Sequence, residues 1–85
     1  PRPMVNQVVE GYEVDFVWPG AGVIVEADGW SAHRTRAAFE RDRLRDATLE
    51  AAGWRVIRIT WRRLMREPEA VALQLEQLLA DGARR

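Results

Sequence analysis

The chain has 85 residues, of which 47% are hydrophobic and 31% are charged, and its formal net charge at pH 7 is zero. This length accommodates one small domain, and the apolar content is typical of a folded protein rather than a disordered one. The sequence contains no cysteine, which excludes disulfides and thiolate zinc sites, and it has no apolar run long enough to span a membrane. We therefore expect a cytoplasmic protein without membrane contact.

We interpret residues 1–85 as one domain from the C-terminal part of a longer protein, because the first residue is Pro1 rather than methionine. The charge is unevenly distributed along the chain. Ten arginines and four acids lie between Arg34 and Arg66, whereas 67–81 contains four acids and no basic residue. The arginine-rich middle can contact phosphate groups, although solvent-exposed helix faces would give the same pattern.

The first third of the chain predicts three β-strands. A short β-prone run extends from Val5 to Glu10, and a second strand extends from Tyr12 to Trp18. A Pro-Gly-Ala-Gly turn follows, and the β-branched run from Val23 to Ala27 predicts a central strand that is covered on both faces and antiparallel to its predecessor. Alternation in the second strand places four side chains on one face: Tyr12, Val14, Phe16 and Trp18.

The rest of the chain predicts a helix, a strand and a final helix. Thr35 is a plausible N-cap for a helix over 36–52, and the β-branched run from Trp54 to Thr60 predicts a strand that a right-handed crossover makes parallel to the third. A short helical turn over 61–66 and a helix over 68–80 complete the order β-β-β-α-β-α, an α/β fold around a mixed sheet. The expected apolar stripe of the first helix comprises Leu44, Ala47, Thr48 and Ala51.

Three acids of the hairpin formed by the second and third strands are candidates for a common site. Glu26 and Asp28 are two residues apart and therefore share a face, and Asp15 on the paired strand can reach the same patch. Converging carboxylates repel one another, and a hard divalent cation such as Mg²⁺ removes that penalty. The alternative is that these acids pair with Arg58 of the next strand or with arginines of the helix.

The motifs that carry a family resemblance follow one another in a fixed order. They are Val14-Asp15-Phe16-Val17, Val25-Glu26-Ala27-Asp28-Gly29-Trp30, His33, Glu40-Arg41-Asp42-Arg43 and Gly53-Trp54-Arg55-Val56. This set resembles the PD-(D/E)XK nucleases, which have a restriction-endonuclease-like fold. Within that superfamily it is most similar to the very-short-patch-repair (Vsr) endonucleases and the related bacterial Vsr-like domains.

The resemblance implies a role for each matching residue. Asp15 corresponds to the metal-binding aspartate, Glu26 takes the acidic position of the motif, and the backbone carbonyl of Ala27 supplies a further metal ligand. Asp28 stands where the superfamily has its catalytic lysine, so the catalytic set is Asp15, Glu26, Asp28, His33 and Asp42. His33 corresponds to the histidine near the attacking water, and Asp42 to the helix acid that orients it.

The chain departs from the family pattern in three ways. It contains no lysine, and Ser31 and Ala32 replace the aromatic residues with which Vsr enzymes wedge mismatched DNA. The N-terminal helix of the family has no counterpart, so we expect an exposed apolar sheet face that binds a second copy or the rest of a longer chain.

The leading interpretation is a DNA endonuclease or nickase that depends on Mg²⁺ or Mn²⁺, with Arg34 and Arg36 contacting DNA phosphates. The alternative is a catalytically silent DNA-binding or protein-interaction module that retains the nuclease fold, such as the C-terminal domain of an antitoxin-like regulator. A structural dimerisation domain is a third possibility.

Overall fold

The computed structural model describes residues 2–29 and 35–83. The elements follow in the order β1 (Met4–Val9), β2 (Tyr12–Trp18), β3 (Val23–Asp28), α1 (Arg36–Ala51), β4 (Arg55–Thr60), α2 (Trp61–Arg66) and α3 (Pro68–Ala83). Each predicted element is confirmed, and the segment over 61–66 forms a helix. Across the described residues, no helix combines the length and apolar character needed to cross a bilayer.

The four strands form one mixed sheet in the order β1-β2-β3-β4. Glu10 and Gly11 both have positive φ, 51° and 83°, which suits the tight turn of the β1–β2 hairpin. β2 pairs antiparallel with β3, and β3 pairs parallel with β4 after the α1 crossover. Both predicted pairings are confirmed, and the parallel pair places the carboxyl ends of β3 and β4 at the same edge of the sheet.

Helices cover both faces of the sheet, each over its own apolar cluster. Neighbouring residues of β3 alternate between the two clusters, which confirms that this strand is central and covered on both sides. The α1-side cluster consists of Val14, Val17, Ile24 and Leu49. The α3-side cluster consists of Val23, Val25, Ile59 and Val71.

The start of α1 is set by a side-chain cap. The Thr35 Oγ1 accepts a hydrogen bond from the Ala38 backbone amide at 3.1 Å, which satisfies one of the free N–H groups of the first turn. This confirms the predicted N-cap and fixes where the helix begins after β3.

The predicted apolar stripe of α1 is wrong, because it lies on the outer side of the helix. The Leu44 side chain is 65% exposed, whereas Leu49 is completely buried against the sheet. Residues spaced three, four and seven positions apart share a helix face, so Asp42, Arg45 and Asp46 lie on the same face as Leu49. The face of α1 that meets the sheet is therefore largely charged.

The predicted facing of β2 is correct for its first half only. Tyr12 packs with the α1-side cluster beside Val14, but Phe16 and Trp18 pack with the α3-side cluster. The side-chain direction reverses at Asp15. In the β1–β2 register this residue lies opposite Asn6, between the pairs Val5↔Phe16 and Gln7↔Val14. Asn6 has a positive φ of 53°, so both strands lose regular alternation at the same level.

Replacing Leu49 with alanine tests which face of α1 is packed. Leu49→Ala is expected to lower the free energy of unfolding by about 2–5 kcal/mol, because it leaves a cavity in the core. Leu44→Ala on the same helix is expected to cost about 0.5 kcal/mol or less. Urea denaturation measures both values, and equal losses for the two variants would contradict the described orientation of α1.

Candidate active site

The site is organised around Glu26, the buried carboxylate of β3. Its side chain points toward α1 and is paired with the Arg45 guanidinium through Nη2 and Oε1. The same Nη2 donates to the backbone carbonyl of Glu13 at 2.7 Å. The guanidinium carbon also lies 5.9 Å from the centre of the Tyr12 ring, so three groups hold this arginine.

Asp15 is fixed beside Glu26 by the backbone of β3. Its Oδ2 accepts a hydrogen bond from the Ala27 amide at 2.8 Å. The described pairing of β2 with β3 begins only at Phe16↔Val25, so this side chain replaces a backbone acceptor where the strands separate. The irregularity at Asp15 thus has a structural result, which is a carboxylate locked against the central strand.

The environment raises the pKa of the Glu26 carboxyl above its usual range. Burial is the largest cause, because it disfavours the charged form. Arg45 opposes this effect, while the neighbouring Asp15 raises the pKa further through its charge and through a side-chain hydrogen bond. A buried carboxyl that is close to a second carboxyl is a common feature of functional sites.

Asp28 has a different set of neighbours from Glu26. Its Oδ1 accepts a hydrogen bond from Arg58 Nη1 at 2.7 Å. Arg58 also donates two hydrogen bonds to Asp46, from Nε to Oδ2 at 2.9 Å and from Nη2 to Oδ1 at 3.0 Å. This double contact, led by the hydrogen bond to Asp46, raises the pKa of the Arg58 guanidinium. Arg43 adds an ion pair to Asp46 at 3.1 Å. The result is a bridge that ties β3 and β4 to α1.

We call the charged groups between the sheet and α1 the charged seam. Its members are Glu26, Asp28, Arg45, Asp46 and Arg58.

The expectation that three acids converge is wrong for Asp28. The alternative pairing is confirmed for two of the acids, since Glu26 pairs with a helix arginine and Asp28 with Arg58. Within the described ranges, no group of three or more His, Cys, Asp or Glu side chains is arranged to hold a metal ion. The adjacent Asp15 and Glu26 remain, and two carboxylates suffice for Mg²⁺, which otherwise keeps water and substrate oxygens as ligands. The donor set therefore fits this ion.

The other predicted site residues lie in three different settings. Asp42 is half-buried on α1, one helical turn before Asp46 on the same face. The Arg36 side chain is 91% exposed at the start of α1 and forms an ion pair with Glu40 at 3.3 Å. His33 and Arg34 lie outside the described residues.

Arg45 and Asp46 are the site residues that the sequence analysis missed. Their spacing carries a signal: with Asp42 and Leu49 they form one helix face that ends in a buried leucine. An apolar-stripe search passes over that face, because only its last member is hydrophobic.

Comparison with known proteins identifies a family and longer relatives. A family model described as REase_MTES_1575 matches residues 2–79. An uncharacterized protein of Haemophilus influenzae is 42% identical over 70 residues, which make up 82% of this chain and 57% of that protein. An uncharacterized protein of Mycobacterium tuberculosis is 33% identical over 89 aligned positions, which cover 99% of this chain and 32% of that protein. The chain thus spans little more than half, or less, of the curated relatives that it matches.

A solved structure shares the fold. The catalytic domain of a homing endonuclease superposes with a TM-score of 0.75, covering 94% of this chain and 80% of that domain, at 23% sequence identity. This likeness confirms the predicted restriction-endonuclease-like α/β fold.

Removing Arg58 tests the bridge between the sheet and α1. Arg58→Met is expected to lower the free energy of unfolding by about 2–4 kcal/mol, because it leaves two partly buried carboxylates without their main cation. The control is Arg36→Met, which breaks an exposed ion pair and is expected to cost less than about 1 kcal/mol. Chemical denaturation of both variants gives the comparison, and a loss no larger in Arg58→Met than in the control would refute the structural role.

The raised pKa of Glu26 predicts a pH dependence of stability. The folded state holds the Glu26 proton more tightly than the unfolded state, so this group favours folding at low pH, and that contribution is lost as pH rises above the ordinary value of 4.5. The unfolding free energy of wild type minus that of Glu26→Gln, measured with a chelator present, is therefore expected to fall with rising pH through this range. Glu50→Gln, which removes an exposed carboxyl, controls for net charge. A difference that increases with pH would contradict the shift.

Proposed function

The chain belongs to the REase_MTES_1575 family of restriction-endonuclease-like proteins, and on this basis we propose that it hydrolyses phosphodiester bonds of DNA as an Mg²⁺-dependent endonuclease or nickase. The observation that carries the proposal is the hydrogen bond from the Ala27 amide to Asp15, which fixes this carboxylate next to Glu26 at the point where β2 and β3 separate. Two carboxylates this close repel each other, and a divalent cation bound between them would remove that cost. The Vsr-like motif order supports the assignment to a nuclease.

In the proposed site, Asp15, Glu26 and the carbonyl of Ala27 would hold the metal ion. Mg²⁺ bound there would polarise a phosphate oxygen and lower the pKa of its bound water. The Ala27 amide fixes the orientation of the Asp15 carboxylate, so this oxygen is already in place before substrate binds. Burial beneath α1 keeps bulk water from Glu26, which strengthens its interaction with any cation that enters.

The proton-handling roles rest on the resemblance to Vsr-type enzymes. His33 would take a proton from the attacking water, and Asp42 on α1 would fix the tautomer of that histidine. Asp28 retains a proposed role at the site, but its contact with Arg58 favours positioning over direct chemistry. Its carboxylate links the end of β3 through Arg58 to Asp46 of α1, and His33 follows Asp28 by five positions in the sequence.

DNA is the proposed substrate, and Arg34 and Arg36 are the proposed phosphate contacts. Arg36 is well exposed at the start of α1, on the same side of the sheet as the charged seam. Arginine suits phosphate because its planar fork donates two hydrogen bonds at once. Affinity that depends on such contacts falls steeply with added salt.

A second copy, or the rest of a longer chain, is the proposed protein partner. The edge strand β1 exposes three apolar side chains, and an exposed apolar edge tends to find a partner. These side chains are Met4, Val5 and Val8, with exposed fractions of 48%, 51% and 70%. Because the curated relatives are longer than this chain, we propose that residues 1–85 form a single domain of a longer protein.

One observation favours the alternative function, a silent module that binds DNA or protein. Two of the three hairpin acids already have arginine partners inside the chain. A domain without catalytic activity would need these ion pairs to bury its carboxylates and would need no metal. The two functions therefore differ in whether a divalent cation binds at Asp15.

A plasmid-nicking assay distinguishes the two functions. In the presence of Mg²⁺ or Mn²⁺, wild type is expected to nick DNA, and Asp15→Asn to do so about a hundredfold more slowly or worse. The expected loss follows because a metal contributes several kcal/mol to the transition state and each 1.4 kcal/mol is tenfold in rate. Glu13→Gln, which changes an exposed carboxylate on the same strand, is the control and is expected to retain activity.

Cleavage that persists unchanged in Asp15→Asn would trace the activity to a contaminant and defeat the assignment. DNA binding without cleavage by wild type would instead establish the silent module.

A further inference from the structure

We propose that Arg45 pairs with Glu26 as an internal counter-cation and must move away before a divalent cation binds. Arg45 therefore lowers the metal affinity of the site. This inference rests on the proposed function and deepens it. Arg45 is a positioning residue in this scheme, because it acts through Glu26 rather than on the substrate.

The contacts of Arg45 show why Glu26 is held and yet can be released. One nitrogen, Nη2, serves both the Glu26 carboxylate and the Glu13 carbonyl. The Nε atom is buried and has no hydrogen-bond partner among the described residues. Pairing with Glu26 thus leaves one donor of the guanidinium unsatisfied. The ion pair is therefore weaker than one in which two guanidinium nitrogens bind both carboxylate oxygens.

Arg45 keeps other contacts when it leaves Glu26. The Glu13 carbonyl and the face of the Tyr12 ring both belong to β2, and neither depends on the Glu26 carboxylate. The side chain is 23% exposed, so part of it reaches solvent. A small displacement therefore frees the carboxylate without stranding the guanidinium.

Arg58 provides the contrast within the same seam. It binds both oxygens of Asp46 through two nitrogens and uses a third for Asp28. Moving Arg58 would break three hydrogen bonds, two of which link α1 to the sheet, whereas moving Arg45 breaks one ion pair. The structure thus contains one fixed arginine and one that can yield its carboxylate.

Competition for Glu26 follows from charge and space. The Oε1 that accepts from Arg45 lies on the same carboxylate that would contact the metal, and a guanidinium adjacent to a divalent cation is repelled by it. Without metal, Arg45 relieves the repulsion between Glu26 and Asp15. If Glu26 is free of Arg45 for about one tenth of the time, the apparent metal affinity is reduced about tenfold.

Mn²⁺ binding to the intact chain tests this inference, with free Mn²⁺ measured by electron paramagnetic resonance. Arg45→Met is expected to bind Mn²⁺ about tenfold more tightly than wild type at a pH where Glu26 ionises, because no arginine then competes with the metal for the carboxylate. Arg45→Lys, which retains a cation, is expected to remain close to wild type. Arg41→Met removes the same charge from an exposed position on α1 and is expected to change little. Adding Glu26→Gln to Arg45→Met should abolish the gain.

A measurement on the unmodified protein covers the case in which Arg45→Met does not fold. During a Mg²⁺ titration followed by nuclear magnetic resonance, the Nε–H signal of Arg45 is expected to shift with the binding curve. The Nε–H signal of Arg58 is expected to remain in place and serves as the internal reference. Saturable binding with an unchanged Arg45 signal would overturn the inference.

The outcomes separate this inference from the proposed function. Equal Mn²⁺ affinity in wild type and Arg45→Met would overturn the role of Arg45 and leave the metal site intact. Absence of divalent-cation binding in wild type and in every folded variant would overturn the metal site, and the role of Arg45 with it.

Discussion

The rest of the structure depends on one buried carboxylate. Glu26 lies in the central strand, beneath a helix, where an unpaired negative charge would be too costly to maintain. The helix above it must therefore present a cation, and Arg45 meets that need. The same requirement explains why α1 places charged residues rather than an apolar stripe against the sheet. Leu49 alone supplies the hydrophobic anchor at the end of this face.

The sequence was sufficient to predict the elements and most of the topology. Gly11, the Pro-Gly-Ala-Gly turn and the β-branched runs define the strands, and the strand–helix–strand order requires the parallel β3–β4 pair. The facing of α1 could not be predicted, because the apolar-stripe rule assumes that the buried face is hydrophobic. On α1 the inward residues are balanced by strand charges far away in sequence. Only the fold brings those partners together.

The candidate site was partly predictable for a related reason. Strand alternation and motif order place Glu26 near Asp15, and the structure brings the two together. Alternation alone failed for β2, because the left-handed Asn6 and the unpaired level at Asp15 reverse the side chains that follow. The partner of the Asp28 carboxylate could have been Arg58 or a metal ion, and spacing along one strand does not distinguish the two. In the structure, Asp46 of α1 holds Arg58 in place beside Asp28, and the arginine is the partner.

The charged seam adds buried charge to the α1 side of the sheet, beside the apolar cluster of that side, and this has a thermal consequence. The cost of removing charged groups from water falls as temperature rises, and hydrophobic stabilisation per unit area levels off. Heating therefore acts unequally on the two layers. The α3-side cluster around Val71 gains no further strength, whereas the charged seam becomes less costly to keep dry. The cost of burying the charges at the candidate site is therefore smaller at high temperature than at room temperature.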